Sequence, residues 1–217
     1  MAEPRTSCLL VDYYETFIQD QDLDAFQRHV SARYSEATLG RLLLNGDARS
    51  RRAAVLALGL VGSYTMNEVV ARALRDSDPT VRRLADGALW SIWYRADTPE
   101  NNAQLERVRE LLAAQRLDDA HATASRLIAR ASRFAEAYNQ RAIALFLMGR
   151  FDESAADCRR VLELNPYHFG ALSGLAQCYL RLNLRKEALR TFRRALKLQP
   201  HSEGLREAVQ TLESEGV

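Results

Sequence analysis

Apolar residues recur three and four positions apart along most of the chain, the spacing of an α-helix that buries one face. Val81, Leu84, Ala85, Ala88, Leu89 and Ile92 fall on one such stripe, and Leu105, Val108, Leu111, Ala120, Ala124 and Leu127 keep the same rhythm. The alternation of apolar and polar residues that marks a half-buried strand is absent. The pattern therefore predicts an all-α chain. Residues 9–34, with Phe17, Leu23, Phe26 and Val30, read as one or two further helices. Helix boundaries are written in the capping residues. Asp78-Pro79 and Thr98-Pro99 each pair an N-cap with a proline at the first helical position, and Thr65 to Glu68 has capping-box spacing. Gly149 and Asn183 suit the left-handed corner that ends a helix.

Two repeat periods organise these helices. Residues 135–168 superpose on 169–202 at an offset of 34, which places Pro166 on Pro200, Leu162 on Leu196, Leu164 on Leu198, Ala142 on Ala176 and Glu153 on Glu187. A fainter copy occupies 101–134, with Ser132 in place of the closing proline. Nearer the N-terminus the offset is 31. Asp47 falls on Asp78, Arg51-Arg52 on Arg82-Arg83, Ala57 on Ala88 and Leu58 on Leu89.

The 34-residue units resemble the tetratricopeptide repeat. In the second unit the resemblance rests on Leu172, Leu175-Ala176, Tyr179, Ala188, Phe192 and Pro200. The first unit supplies Tyr138, Ala142, Leu145 and Pro166 and departs at Arg141, Ser154 and Cys158. The 31-residue units, with the form D-x-x-V-R-R-x-A-x-x-A-L, resemble the short HEAT-like repeats also found in phycobilin lyases. Together these resemblances imply a right-handed α-solenoid of antiparallel helix pairs. Residues 1–37 would form N-terminal helices, 38–96 HEAT-like repeats, 97–202 three tetratricopeptide-like repeats of which the first is degenerate, and 203–217 a capping helix opened by Ser202. The junction RADTPENNAQ has no flexible Gly/Ser stretch, which predicts a stiff join.

The tetratricopeptide resemblance also implies a concave groove, lined by first helices, that holds a peptide or protein segment. By register its lining would be Arg109, Asn139, Gln140, Ile143, Phe146, Leu147, Ser173, Gln177 and Arg181. Amides would meet a peptide backbone, an apolar patch its side chains, and arginines its ends. The subgroup that clamps the carboxylate of chaperone tails is not implied, because Gly170, Gly174 and Leu105 stand at its basic positions. Trp90 points away from the Val81–Ile92 stripe. It is either covered by the neighbouring repeat or offered to a partner.

Composition narrows function. The formal net charge is +2, too small to draw the chain to nucleic acid or an anionic membrane. Arg51-Arg52 and Arg82-Arg83 are expected to pair with their own repeats' acids, Asp47 and Asp78, or to lie in solvent, and the basic set Arg190, Arg193, Arg194 and Lys197 to face solvent. No apolar run is long enough to span a membrane, and the N-terminus shows no leader-like apolar core, so a cytoplasmic setting is expected. Cys8, Cys158 and Cys178 are too few and too scattered for a disulfide framework. Cys158, His168 and Cys178 are evenly spaced, but ten-residue steps are unlike zinc-ligand spacing. They read as two core cysteines and a turn histidine, with no metal. No catalytic constellation and no phosphate loop is found, so no cofactor is required. The expected function is a non-enzymatic adaptor for a protein or peptide partner. The alternatives are an auxiliary or lyase-like factor acting through the HEAT-like repeats, and nucleic-acid binding through the arginine pairs.

Overall fold

The computed structural model describes residues 8–215. Residues 1–7 and 216–217 lie outside the described residues. They include part of the stretch read for a leader and of the predicted N-terminal helical segment, and the end of the predicted capping helix. Among the described residues there are thirteen α-helices and no strand. They are α1 (Leu9–Asp20), α2 (Leu23–Arg33), α3 (Glu36–Asn45), α4 (Ala48–Val61), α5 (Asn67–Arg72), α6 (Pro79–Tyr94), α7 (Pro99–Ala113), α8 (Leu117–Arg130), α9 (Ala135–Leu147), α10 (Phe151–Leu164), α11 (Phe169–Arg181), α12 (Arg185–Leu198) and α13 (Glu203–Ser214). The chain divides into two compact units between Ile92 and Trp93. No described helix is long and apolar enough to cross a membrane.

In the first unit, Leu10, Phe26, Val30, Leu39, Leu58, Val70, Val81 and Leu89 form the core. The 31-residue offset reappears in its hydrogen bonds. Asp47 caps α4 by accepting the Ser50 N–H, and Asp78 caps α6 by accepting the Val81 N–H. Arg51 donates to the Gly46 carbonyl as Arg82 does to that of Ser77, at 3.0 and 3.1 Å. Helices α4 and α6 approach closely at Gly59, where an added Cβ would lie 3.0 Å from the Ala88 Cβ and 3.1 Å from its Cα. The expected capping box at Thr65 does not form. Ser63 caps a short 3-10 turn there, and the Thr65 hydroxyl donates instead to Glu36, whose carboxylate also accepts the Ser63 N–H and hydroxyl.

The second unit is a run of helix pairs, α7/α8, α9/α10 and α11/α12, closed by α13. One corner is written three times. Gln115, Gly149 and Asn183, 34 residues apart, adopt left-handed φ of 57°, 78° and 60°. After each, the N–H of Arg116, Arg150 or Leu184 donates back to Leu111, Leu145 or Tyr179 at 2.9, 2.9 and 2.8 Å, which satisfies a carbonyl the helix end would otherwise leave open. The bonds that end the second helices recur at the same offset, from the N–H of Ala131, Asn165 and Gln199 to Leu127, Val161 and Ala195. Residues 101–134 thus share the corner and the helix-end bonds of 135–168 and 169–202. Ser202 caps α13 through the Leu205 N–H, and Leu205, Val209 and Leu212 cover Leu172, Leu189 and Phe192.

Candidate functional site

The first helices α9 and α11 sit side by side. On α9, Ile143 and Leu147 are 39% and 48% exposed, and Phe146 is half-buried between them. The helical period puts the three on one face. On α11, Ser173, Gln177 and Arg181 follow one another four residues apart, with Ser173 half-buried and the other two exposed. Arg181 joins the two helices. Its guanidinium lies 4.7 Å from the Phe151 ring centroid and 5.8 Å from that of Phe146, and the two rings meet edge to face at 5.3 Å. A guanidinium over aromatic faces is attracted by their quadrupole and held by their area. The result is an exposed apolar strip bordered by an amide, a hydroxyl and a fixed cation. Such a strip suits an extended or helical peptide that offers apolar side chains next to a carboxylate or carbonyl.

Two of the expected lining residues are not on this surface. Asn139 and Gln140 are buried, because their amides turn inward to Glu136. The Glu136 Oε1 accepts from Asn139 Nδ2 at 2.9 Å and Gln140 Nε2 at 2.7 Å. Its Oε2 meets His168 Nε2 at 2.8 Å. The His168 Nδ1 accepts the Ala171 N–H at 3.0 Å, so the ring carries its proton on Nε2 and donates to the carboxylate. The ring also stacks on Trp93 with centroids 4.1 Å apart. His168 is therefore more than a turn residue. It is fully buried, caps α11 and ties that helix to α9. Register alone marked Asn139 and Gln140 as lining, but a buried carboxylate three and four residues before them redirects both.

Arg109 stands apart from the strip. Its guanidinium lies 4.2 Å from the Tyr94 ring centroid and pairs with Glu106. Burial pushes the Tyr94 hydroxyl pKa up. Trp90 is half-buried, whereas Trp93 is a core residue. Phe151 was not expected from the sequence. The only signal for Phe151 was an aromatic at the first position of a second helix. Arg141, a departure from the repeat pattern, makes a bidentate pair with Asp157 at 2.7 and 2.8 Å and also donates to Ser125, so it joins α9 to both neighbouring second helices.

Arg82 donates to the Asp76 and Ser77 carbonyls and Arg83 is exposed, while Arg51 and Arg52 pair with acids, though not those of their own copy. Arg51 makes a bidentate pair with Asp76 at 2.7 and 2.8 Å, and Arg52 pairs with Asp78. Each thus reaches forward to the next 31-residue copy rather than to Asp47, which caps α4. The Arg52 guanidinium, followed by the Val81 and Thr80 N–H groups, outweighs burial and holds the Asp78 carboxyl down at about 2. Cys158 and Cys178 are both buried, and Cys178 donates to Ser154 Oγ at 3.2 Å. Cys178 beside it, and then burial, push the Cys158 thiol pKa up. Among the described residues no group of three or more His, Cys, Asp or Glu side chains is placed to hold a metal.

Comparison with known proteins adds the following. Family models of the tetratricopeptide repeat match residues 135–168 and 169–202. A TPR repeat-containing protein of Rhizobium etli is 25% identical over 147 residues, which are 68% of this chain and 72% of the relative. Among solved structures, the first TPR of Spaghetti (RPAP3) bound to an HSP90 peptide has a TM-score of 0.53 at 18% identity and covers 55% of this chain and 94% of that one. The Sgt2 TPR domain from Aspergillus fumigatus has a TM-score of 0.52 at 17% identity, over 55% of this chain and 81% of that one. Both structural likenesses are likenesses of fold.

Proposed function

Residues 135–202 are two tetratricopeptide repeats, and from that premise we propose that the chain is a non-enzymatic scaffold that holds a peptide or protein segment on the exposed face of α9 and α11. The recurrence of the same corner at Gln115 supports reading 101–134 as a third, degenerate repeat. One observation carries the functional reading. Ile143 and Leu147 remain exposed on a first helix, next to a cation already fixed over Phe146 and Phe151. Apolar side chains left in water on a rigid face, with polar groups at the border, are what a partner's side chains cover at an interface. Ser173, Gln177 and Arg181 would fix the orientation of the bound segment. Asn139 and Gln140 are left out, since their amides already serve Glu136. A carboxylate-ended chaperone tail is not favoured, because Gly170 and Gly174 offer no cation and Leu105 is buried.

The test is a displayed random-peptide selection on the wild type, followed by binding of the selected peptides to the Ile143→Ser/Leu147→Ser variant. Loss of roughly 1.5–3 kcal/mol per buried leucine-sized side chain would weaken binding at least tenfold. Unchanged affinity in a variant with the wild-type melting temperature would refute the reading.

A further inference from the structure

The outer helix α12 is the most one-sided surface of the chain in charge. It holds Arg185, Lys186, Arg190, Arg193, Arg194 and Lys197 against a single acid, Glu187, in a chain whose formal net charge is only +2. Lys186, Arg190, Arg193, Arg194 and Lys197 are all exposed and fall within one narrow arc of the helix, a stripe about 16 Å long at 1.5 Å per residue. Arg193 reaches Glu213. Lys186, Arg190, Arg194 and Lys197 have no ion-pair partner among the described residues. Of the helix's apolar residues, Ala188, Leu189, Phe192 and Ala195 are buried, and Leu196 and Leu198 are half-buried and packed on the same core, so the stripe itself offers no apolar side chain to a lipid layer.

The same chain carries the opposite sign elsewhere. Asp12, Glu15, Asp20, Asp22 and Asp24 stand exposed on and between α1 and α2, with no lysine or arginine from residue 12 to 24. Glu15 pairs with Arg49, and Asp22 caps α2, but Asp20 and Asp24 have no ion-pair partner among the described residues. Ile18 and Leu23, 51% and 39% exposed, flank these acids and provide apolar area to cover.

We propose that the basic face of α12 docks on the acidic α1–α2 hairpin of a second copy of this chain. The two surfaces are opposite in sign and equal in number of charges, and all but Asp22 of these residues stand on helices. They are different patches of one molecule, so each contact joins unlike surfaces and by itself uses one basic face and one acidic hairpin of a pair, leaving the other two for a further contact. It uses neither α9 nor α11, so its failure and that of the proposed peptide face are independent.

Sedimentation of the whole chain at low and high salt tests the contact. The screening length drops from about 30 Å at 0.01 M to about 3 Å at 1 M. The wild type is expected to form concentration-dependent oligomers at the lower salt and monomers at the higher. Arg190→Gln/Arg194→Gln/Lys197→Gln and Asp20→Asn/Asp24→Asn should each weaken association roughly tenfold or more. Mixed one to one, the two variants should form a dimer and stop there, because one intact basic face meets one intact acidic hairpin. A wild type that stays monomeric at low salt overturns the proposal. So do oligomers that persist at 1 M salt, or a mixture of variants that fails to pair. Salt-sensitive binding of a generic duplex DNA by a monomeric wild type, lost in the triple glutamine variant, would give the face to nucleic acid instead.

Discussion

Replacing Glu136 by alanine removes the acceptor at the centre of the buried α9–α11 network. The side chain is 1% exposed and is surrounded by three donors, the amides of Asn139 and Gln140 and the Nε2–H of His168, all within 2.9 Å. His168 cannot shift its proton to escape, because Nδ1 is occupied by the Ala171 N–H. Each buried donor left without a partner costs about 1–3 kcal/mol, and breaking a buried, hydrogen-bonded charged group typically costs about 3–5 kcal/mol in all. For a chain of this length that corresponds to a fall in melting temperature of roughly 6–20 °C. Glu136→Gln should cost much less, about 1–2 kcal/mol. The amides of Asn139 and Gln140 can rotate to turn their oxygens to the new NH2, while its carbonyl still accepts from His168. Thermal and urea melts followed by helical circular dichroism measure both variants, with the exposed Glu106→Ala as the reference. The reasoning fails if Glu136→Ala melts within about 2 °C of that reference, or if alanine and glutamine cost the same.

Three further outcomes follow from other parts of the molecule. Gly59→Val should destabilise by about 1–3 kcal/mol, since its Cβ already meets Ala88 at 3.0 Å, whereas Gly87→Ala, with nothing within 4 Å, should stabilise α6 by about 0.5–1 kcal/mol; urea midpoints decide both. The Asp78 carboxyl is held at about 2 in the folded chain, below its unfolded value of about 3.9, so its contribution is present above pH 4 or so and lost as pH falls towards 2. Stability measured across that window should be flatter in Asp78→Asn, and an unchanged slope would remove the Arg52 pair as its cause. Of the three cysteines, half-buried Cys8 should react first with a thiol reagent, and Cys158 and Cys178 only as the chain unfolds. Equal native rates for all three, by mass spectrometry, would contradict the buried seam.

Much of this architecture is legible in sequence because periodicity and capping act locally. Pro166 and Pro200 mark where second helices end, and Ser202 marks a cap that forms as read. What escaped is long-range. Asn139 and Gln140 look like groove residues until Glu136 and His168, 32 residues apart in sequence, meet beneath them. Arg51 and Arg52 have an acid nearby at Asp47, yet that carboxylate serves the α4 N-terminus, and the arginines reach 25 and 26 residues forward. Of the two tryptophans in α6, Trp93 proved to be the core residue, because its ring stacks on a histidine from a different helix pair. Pairings of this kind leave no trace in a local pattern.

The corner repeated at Gln115, Gly149 and Asn183 separates the length of the array from its chemistry. Glu136 and His168 both lie within residues 135–168, so the buried pair travels with that one unit. A duplication of 135–168 in the gene would copy the donor network and the exposed Ile143–Leu147 strip together. Each new junction would join a second helix to a first helix through bonds the chain already makes. The length of the array is then a quantity that recombination can change in whole steps with the corner and the helix-end bonds kept, while contacts that cross between units, such as Arg141 to Ser125, would have to be remade.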